Sequence, residues 1–178
     1  LLYRERNICD ADFSEEFLPL AFDWVRLDTC EFLLHCLLMA WLEFGEEIPG
    51  FLNEVILVAA RSRQRSAIQT IVRRGVDLNM CEPLEGNTAL IQASLLNETG
   101  VIEELLENGA DIDGRTSKGA TALIQAANTG NVGMATFLLQ RGASANAQDY
   151  RGLTALFWAS LFNNLEIIDI LLTNGADI

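Results

Sequence analysis

Four cysteines and a single histidine offer the most obvious chemistry in this 178-residue chain. Cys30, His35 and Cys36 are five and one residues apart, a spacing that does not match the usual sets of zinc ligands. His35 also lies in an apolar stretch, where an imidazole is more often a core or boundary residue than a catalytic base. Neither these residues nor Cys9 and Cys81 form a Cys-x-x-Cys pair. We therefore expect no metal site, no cofactor and no catalytic residue.

Phosphate binding and carboxylate chemistry are the other two possibilities that the residue types suggest. The segment Gly130-Asn131-Val132-Gly133 is rich in glycine, but phosphate-binding loops follow a strand. This segment instead lies between two predicted helices and is interpreted as their turn. Glu103, Glu104 and Glu107 fall on one predicted helix and are typical of a solvated face. The sequence therefore favours a protein that is not an enzyme.

The composition narrows the class of partner and the compartment. A net charge of −13 argues against nucleic acid or an anionic membrane surface as the main partner, because both repel an acidic protein. Charged residues follow Leu1-Leu2 at once, so no signal peptide is visible. Cysteine usage indicates reduced thiols and a cytoplasmic protein. Since the chain starts without Met and stops at Asp177-Ile178, we expect it to be a fragment of a longer protein.

The elements that position these residues follow from a repeat. A heptapeptide that begins at Thr88 returns at Thr121 and again at Thr154, 33 residues apart each time. Its three copies read Thr-Ala-Leu-Ile-Gln-Ala-Ser, Thr-Ala-Leu-Ile-Gln-Ala-Ala and Thr-Ala-Leu-Phe-Trp-Ala-Ser. A second apolar segment follows each copy, and the segments are closed by Gly109, Gly142 and Gly175. A fixed period of about 20–50 residues indicates a stacked array.

These copies resemble the ankyrin repeat, with its pattern Gly-x-Thr-x-Leu-x-x-Ala-(Ala/Ser) and a second helix ending in Leu-Leu before a glycine. The resemblance covers residues 53–178 and implies an all-α, ankyrin-type helical repeat solenoid with β-hairpin-like loops. The four helix-turn-helix repeats are about 53–85, 86–118, 119–151 and 152–178, and we expect the array to continue beyond them. Two family positions differ: the usual Pro is Ala89, Ala122 and Ala155, and the usual His is Ile91, Ile124 and Phe157.

Elementary physical chemistry supports this interpretation. Thr88, Thr121 and Thr154 precede short apolar helices, and their hydroxyls can accept hydrogen bonds from the unpaired amides of the first turn. The closing glycines, such as Gly142, stand where the chain needs a positive φ. A single repeat cannot cover its own apolar face, so the array is stabilised by stacking between neighbours.

Residues 1–52 differ from the repeats, with eleven acidic side chains against three basic ones. A predicted helix from Thr29 to Phe44 is apolar nearly all round, but it is shorter than the roughly 20 residues that a membrane span needs. We therefore predict no membrane insertion. The segment is interpreted as an N-terminal α-helical capping region that seals the first repeat and meets it at Pro49-Gly50.

The resemblance implies that a partner binds in the groove between the hairpin loops and the first helices of the repeats. Carried over by position, the predicted partner-binding residues combine apolar or aromatic groups with two cations: Leu95, Lys118, Tyr150, Arg151, Leu153, Trp158, Leu161 and Phe162. Aromatic residues contribute much of the energy of protein interfaces. We predict an apolar groove at repeats three and four that holds a peptide with hydrophobic anchors and some acidic character. For Leu96 and Phe162, packing into the stack as ordinary core is an open alternative.

Two classes of function stay open. The first is a non-enzymatic protein–protein interaction or scaffold module. The second is a regulatory or self-assembly segment of a larger enzyme or channel. In a repeat of this kind, part of the apolar side chains of residues 167–172 would normally pack against a following repeat. Self-association through the C-terminal repeat is therefore a further expectation.

The first repeat carries a group of basic residues in an acidic chain. Arg61, Arg63 and Arg65 are placed in its inter-helix turn, with Arg73 and Arg74 at the end of its second helix. These residues are either a solvated loop with cations that complement a helix C-terminus, or a basic spot that receives an acidic segment.

Overall fold

The computed structural model describes residues 56–60, 65–73, 76–81 and 86–178. Their regular elements are helices, with no strand among them, as the all-α prediction requires. Residues 56–60 are helical. The helices that follow are α1 Arg65–Val72, α2 Ala89–Leu95, α3 Thr99–Glu107, α4 Ala122–Thr129, α5 Val132–Gln140, α6 Ala155–Leu161 and α7 Leu165–Thr173. None of the helices in this described part has the length and apolarity needed to span a membrane.

Several sequence predictions fall on other parts of the chain. The predicted cap over 1–52, with His35 and three of the four cysteines, lies outside the described residues, as do Arg61, Arg63 and Arg74. Arg65 is described, and its predicted place in a turn is wrong, because it is the first residue of α1. Cys81 is exposed and has no disulfide partner among the described residues.

In repeats two to four, the first helix begins directly after the predicted threonine, which is its N-cap residue. The hydroxyl oxygens of Thr88, Thr121 and Thr154 each accept a hydrogen bond from the amide three residues later, at 3.3 Å in all three cases. Each threonine has an extended backbone, which is the usual conformation of an N-cap residue. The predicted role of these threonines is confirmed.

The turn between the two helices of repeat three is shorter than predicted. Gly130 and Asn131 alone connect α4 and α5, so placing Val132 and Gly133 in the turn was wrong. Asn131 caps α5, since its side-chain oxygen accepts from the Met134 amide at 3.1 Å. Gly130 has φ 71°, and the equivalent residues of the neighbouring repeats are Asn97 with φ 60° and Asn163 with φ 56°. Asparagine tolerates the left-handed region better than most residues, which explains why it can replace glycine at this position.

The core is formed where successive repeats stack. The first helices α2, α4 and α6 pack in that order, and Ile102, Leu105 and Leu138 of the second helices are fully buried. At the position where the family usually has histidine, Ile91 and Ile124 are buried as well. Apolar packing thus occupies that position in two repeats.

Polar side chains fix the register of the stack. In repeats one to three, an Asn or Asp side-chain oxygen at the same repeat position accepts a hydrogen bond from a backbone amide of the next repeat. Asn79 Oδ1 accepts from Asp111 at 2.7 Å, Asp113 Oδ1 from Ser144 at 3.0 Å, and Asn146 Oδ1 from Asp177 at 2.8 Å. Because a slip of one residue would break all three bonds, they favour one alignment of neighbouring repeats.

Candidate functional site

Two hairpin loops, here called finger A (residues 115–120) and finger B (residues 148–153), form one wall of the candidate site. In finger A the Thr116 amide donates to the carbonyl of Ala120 at 2.9 Å, and in finger B the Asp149 amide donates to the carbonyl of Leu153 at 2.9 Å. The Tyr150 amide donates to the Lys118 carbonyl at 3.1 Å and joins the two fingers. Each finger therefore has its own closing bond and a bond to its neighbour.

Arg115 adds a second link between the fingers. Its guanidinium donates to the Gly119 carbonyl at 3.2 Å and also to the Gln148 carbonyl. The fingers also approach very closely at Gly119, where a Cβ atom would lie 2.7 Å from the Tyr150 amide nitrogen. Glycine is needed there both for space and for its φ of 79°.

A cavity of about 530 Å³, here called the groove cavity, lies between the fingers and helices α4 and α6. Its walls combine an apolar floor with amides, two cations and two aromatic side chains. The lining residues are Lys118, Ala120, Ile124, Gln125, Asn128, Asp149, Tyr150, Arg151 and Trp158. A concave site of this size with a few convergent polar groups has the usual form of a binding site.

Four of the eight predicted partner-binding residues meet in the groove cavity: Lys118, Tyr150, Arg151 and Trp158. Tyr150 is 72% exposed. The other four predicted residues lie elsewhere. Leu153 is half-buried in finger B, Leu161 and Phe162 are exposed around the end of α6, and Leu95 lines a different cavity.

The different cavity has a volume of about 380 Å³ and lies between repeats two and three. It is lined by Ser94, Leu95, Asn97, Ala122, Gln125, Ala126, Thr129, Asn131 and Met134. Gln125 lines both cavities. The residues predicted as one set are therefore not all in one place: four line the groove cavity, Leu95 lines the second cavity, and Leu153, Leu161 and Phe162 line neither.

Trp158 is the centre of an aromatic and cationic cluster. Its ring is stacked with Phe162 at a centroid distance of 6.2 Å and meets Phe157 edge-on at 5.9 Å. The Arg151 guanidinium lies over the indole, 5.3 Å from the ring centroid. Trp158 Nε1 is buried and has no hydrogen-bond partner, and it is the one buried side-chain nitrogen or oxygen of the described residues in this state. Buried polar groups normally have a partner, so this unsatisfied N–H is an exception to the usual pairing.

Asp149 is the one carboxylate among the described residues that line the groove cavity, and it is turned into its own finger. It is buried, and its Oδ1 accepts from the amides of Arg151 and Leu153 at 2.8 and 2.9 Å. Its Oδ2 lies 3.8 Å from Arg151 Nε. Lys118 is exposed and has no acidic partner within the described part of the chain. The rim of the cavity therefore presents positive charge.

Charge is segregated along residues 86–178. Ten acidic side chains occur there, and nine of them lie outside the fingers: Glu98, Glu103, Glu104, Glu107, Asp111, Asp113, Glu166, Asp169 and Asp177. The basic side chains are Arg115, Lys118, Arg141 and Arg151, and all but Arg141 lie in the fingers. An acidic protein thus carries a positive edge beside its groove cavity.

Sequence reasoning missed Gln125 and Asp149 as lining residues. The repeat offered a signal for Gln125, because it occupies the position that Gln92 and Trp158 hold in the neighbouring repeats. Asp149 gave no such signal, since the equivalent residue in finger A is Thr116.

Comparison with known proteins agrees with this architecture. A family model described as ankyrin repeats, in three copies, matches residues 56–149 and 116–178. An ankyrin repeat protein of Fowlpox virus (strain NVSL) is 37% identical over 65 residues, which are 36% of this chain and 19% of that protein. The Ankyrin repeat and SAM domain-containing protein 6 of Rattus norvegicus is 36% identical over 84 residues, 43% of this chain and 10% of that protein. The chain therefore matches a fifth or less of these relatives.

Proposed function

The chain belongs to the ankyrin repeat family, and we propose that it is a non-enzymatic, cytoplasmic scaffold module that binds a peptide segment of a partner protein in its groove cavity. Ankyrin repeats are generally protein–protein interaction modules, so a protein partner follows from the family. The choice of groove and the chemistry of the partner segment follow from the residues of this chain.

One observation carries the proposal. An exposed tyrosine, a tryptophan with an unsatisfied N–H and two cations surround one cavity of an acidic protein. Tyr150 and Trp158 provide large apolar surfaces, and such residues dominate the energy of many interfaces. Lys118 and Arg151 favour a ligand with carboxylates over one with cations or a neutral surface. The fitting partner is a segment with hydrophobic anchors and acidic side chains.

The rigid setting of the fingers supports binding as well. The bond from Tyr150 to Lys118 and the two bonds of Arg115 hold the fingers in one arrangement before any ligand arrives. A site that is ordered in advance loses less conformational entropy on binding. A nucleic acid is a poor candidate for the partner. Its phosphate backbone would extend past the positive rim of the cavity, and the rest of the protein, with a net charge of −13, would repel it.

The test starts from a peptide library displayed on phage and selected on the full 178-residue chain. We expect selected peptides to combine aromatic or aliphatic residues with Asp or Glu. Tyr150→Ala and Trp158→Ala should each weaken binding of a selected peptide by roughly 1–3 kcal/mol, measured by fluorescence anisotropy. Leu165→Ala is the control, since Leu165 is an exposed apolar residue that lines neither cavity. Binding that survives both aromatic substitutions in folded protein would move the site toward the arginines of repeat one.

Self-association is a second candidate function, and exposed apolar residues of α6 and α7 favour it. Phe157 is 45% exposed, whereas Ile91 and Ile124 at the same repeat position are buried. Leu165 and Leu172 of α7 are also exposed. A regulatory or self-assembling segment of a larger enzyme or channel would use such a face. Sedimentation equilibrium of the chain at increasing concentration tests this, and a Phe157→Glu variant should abolish any dimer that forms there.

A further inference from the structure

One stretch of this chain has the chemistry of the ligand that the groove cavity fits. It is here called the 10–18 segment and reads Asp-Ala-Asp-Phe-Ser-Glu-Glu-Phe-Leu, so that four acidic side chains are interspersed with two phenylalanines and a leucine. No basic residue occurs between Arg6 and Arg26. The segment lies outside the described residues and precedes the predicted cap helix.

The other part of the sequence with four acidic side chains in nine residues does not have this chemistry. It spans residues 103–111 and contains no aromatic residue. It also begins within α3, where Leu105 is fully buried in the stack. The 10–18 segment is therefore the one stretch of such acidity that also offers aromatic anchors.

The groove cavity complements the 10–18 segment in both charge and surface. Lys118 and Arg151 lie on its rim, and Lys118 has no acidic partner within the described part of the chain. Carboxylates of a bound segment can pair with these two cations. Tyr150 is 72% exposed and Trp158 lines the same cavity, so both offer ring surface to a phenylalanine.

The surroundings of Trp158 point to a second copy as the source of the segment. The Trp158 ring lies 5.9 Å from Phe157 and 6.2 Å from Phe162, measured between ring centroids. These phenylalanines are 45% and 52% exposed, and Phe157 belongs to the apolar face that favours self-association. Trp158 thus connects the groove cavity to that face. A second copy docked on the face offers its 10–18 segment to the cavity at a high local concentration.

We propose that the groove cavity of one copy binds the 10–18 segment of a second copy. The phenylalanines of the segment pack against Tyr150 and Trp158, and its carboxylates meet Lys118 and Arg151. A partner peptide has to displace the segment, so self-association and partner binding exclude each other. This inference rests on the proposed peptide-binding function and names a ligand of the same site.

Two variants of the full chain test the contact, one for each half of it. Phe13→Ser combined with Phe17→Ser removes the anchors and keeps every charge of the segment, whereas Lys118→Glu combined with Arg151→Glu reverses the rim. Sedimentation equilibrium is carried out in about 0.15 M salt, where the screening length is about 8 Å and repulsion between two acidic copies is limited. We expect the native chain to associate, and each variant to associate about tenfold more weakly or less. Arg141→Glu, which reverses a cation outside the fingers, should associate like the native chain.

A mixture of the two variants tests whether the contact joins different copies. One variant keeps an intact groove cavity and the other keeps an intact segment, so mixed pairs should form although neither variant associates with itself. Circular dichroism confirms that each variant is folded. A native chain that stays monomeric, or a mixture that forms no mixed pairs, would overturn the inference.

A competition experiment separates this inference from the proposed function. A peptide of residues 10–18 should displace a library-selected peptide from the variant that lacks the segment's phenylalanines, and the same peptide with Ser in place of both phenylalanines should not. If the native peptide fails to compete while Tyr150→Ala still weakens the selected peptide, the inference falls and the proposed function stands. If selected peptides bind independently of Tyr150 and Trp158, the proposed function fails and the inference with it.

Discussion

The backbone amide of Tyr150 lies 3.1 Å from the carbonyl oxygen of Lys118, and this bond joins the tips of two consecutive fingers. Tyr150 and Lys118 both line the groove cavity, and the Tyr150 side chain is exposed. A backbone bond of this kind does not depend on either side chain. The position of this wall of the cavity is therefore set by the close approach of the fingers, which Gly119 permits.

Gly119→Ala should destabilise the protein more than Gly152→Ala. Both glycines have nearly the same φ, 79° and 78°, so both variants carry the same backbone strain. A Cβ at Gly119 meets the Tyr150 nitrogen at 2.7 Å, whereas a Cβ at Gly152 meets no described atom within 4 Å. We expect the Gly152 variant to lose about 1 kcal/mol of unfolding free energy and the Gly119 variant clearly more, measured by urea denaturation. Equal losses would show that the close approach does not constrain the fingers.

Gly142→Val should lower the free energy of unfolding by about 1 kcal/mol or more. Gly142 has φ 91° just after α5, and a β-branched side chain strongly disfavours that region. A Cβ at this position would meet nothing within 4 Å in the described part of the chain, so backbone strain alone causes the loss. Thermal unfolding followed by circular dichroism measures it. An unchanged melting temperature would argue against a strained glycine at this helix end.

Thr121→Ala should cost about 0.5–2 kcal/mol, because it removes the hydroxyl that accepts from the Ile124 amide at 3.3 Å. Thr121 is fully buried, so water cannot replace the lost acceptor. Thr121→Ser is the matched control, since it keeps the hydroxyl and should retain most of the stability. Denaturant unfolding of the two variants distinguishes the cap from the loss of side-chain volume.

Arg115→Gln should weaken the link between fingers A and B. The substitution removes guanidinium bonds to the carbonyls of Gly119 and Gln148, and each such bond contributes about 0.5–1.5 kcal/mol. We expect faster hydrogen exchange at the Tyr150 amide, measured by NMR. Arg141→Gln is the control, because it removes an ion pair with Glu103 and a contact with the Phe137 ring, both outside the fingers, and should cost about 1 kcal/mol. Unchanged exchange in the Arg115 variant would contradict its role as a link.

Much of the fold could be predicted because its signals are local. Thr88, Thr121 and Thr154 cap helices through a bond to an amide three residues away, and Gly142 ends one through its own φ. Such features depend on a few neighbouring residues, so the recurrence of these threonines and glycines every 33 residues was enough to place the helices. The turn at Gly130 was placed too long because the cap made by Asn131 was not recognised.

The groove depended on tertiary structure. Sequence alone determined that Lys118 and Arg151, and likewise Gln125 and Trp158, stand at equivalent places of neighbouring repeats. Only the fold brought Lys118, Tyr150, Arg151 and Trp158 to one cavity, assigned Leu95 to another, and turned the Asp149 carboxylate away from the rim. Contacts such as Tyr150 to Lys118 join residues about one repeat apart in the chain, and they form only when the repeats stack.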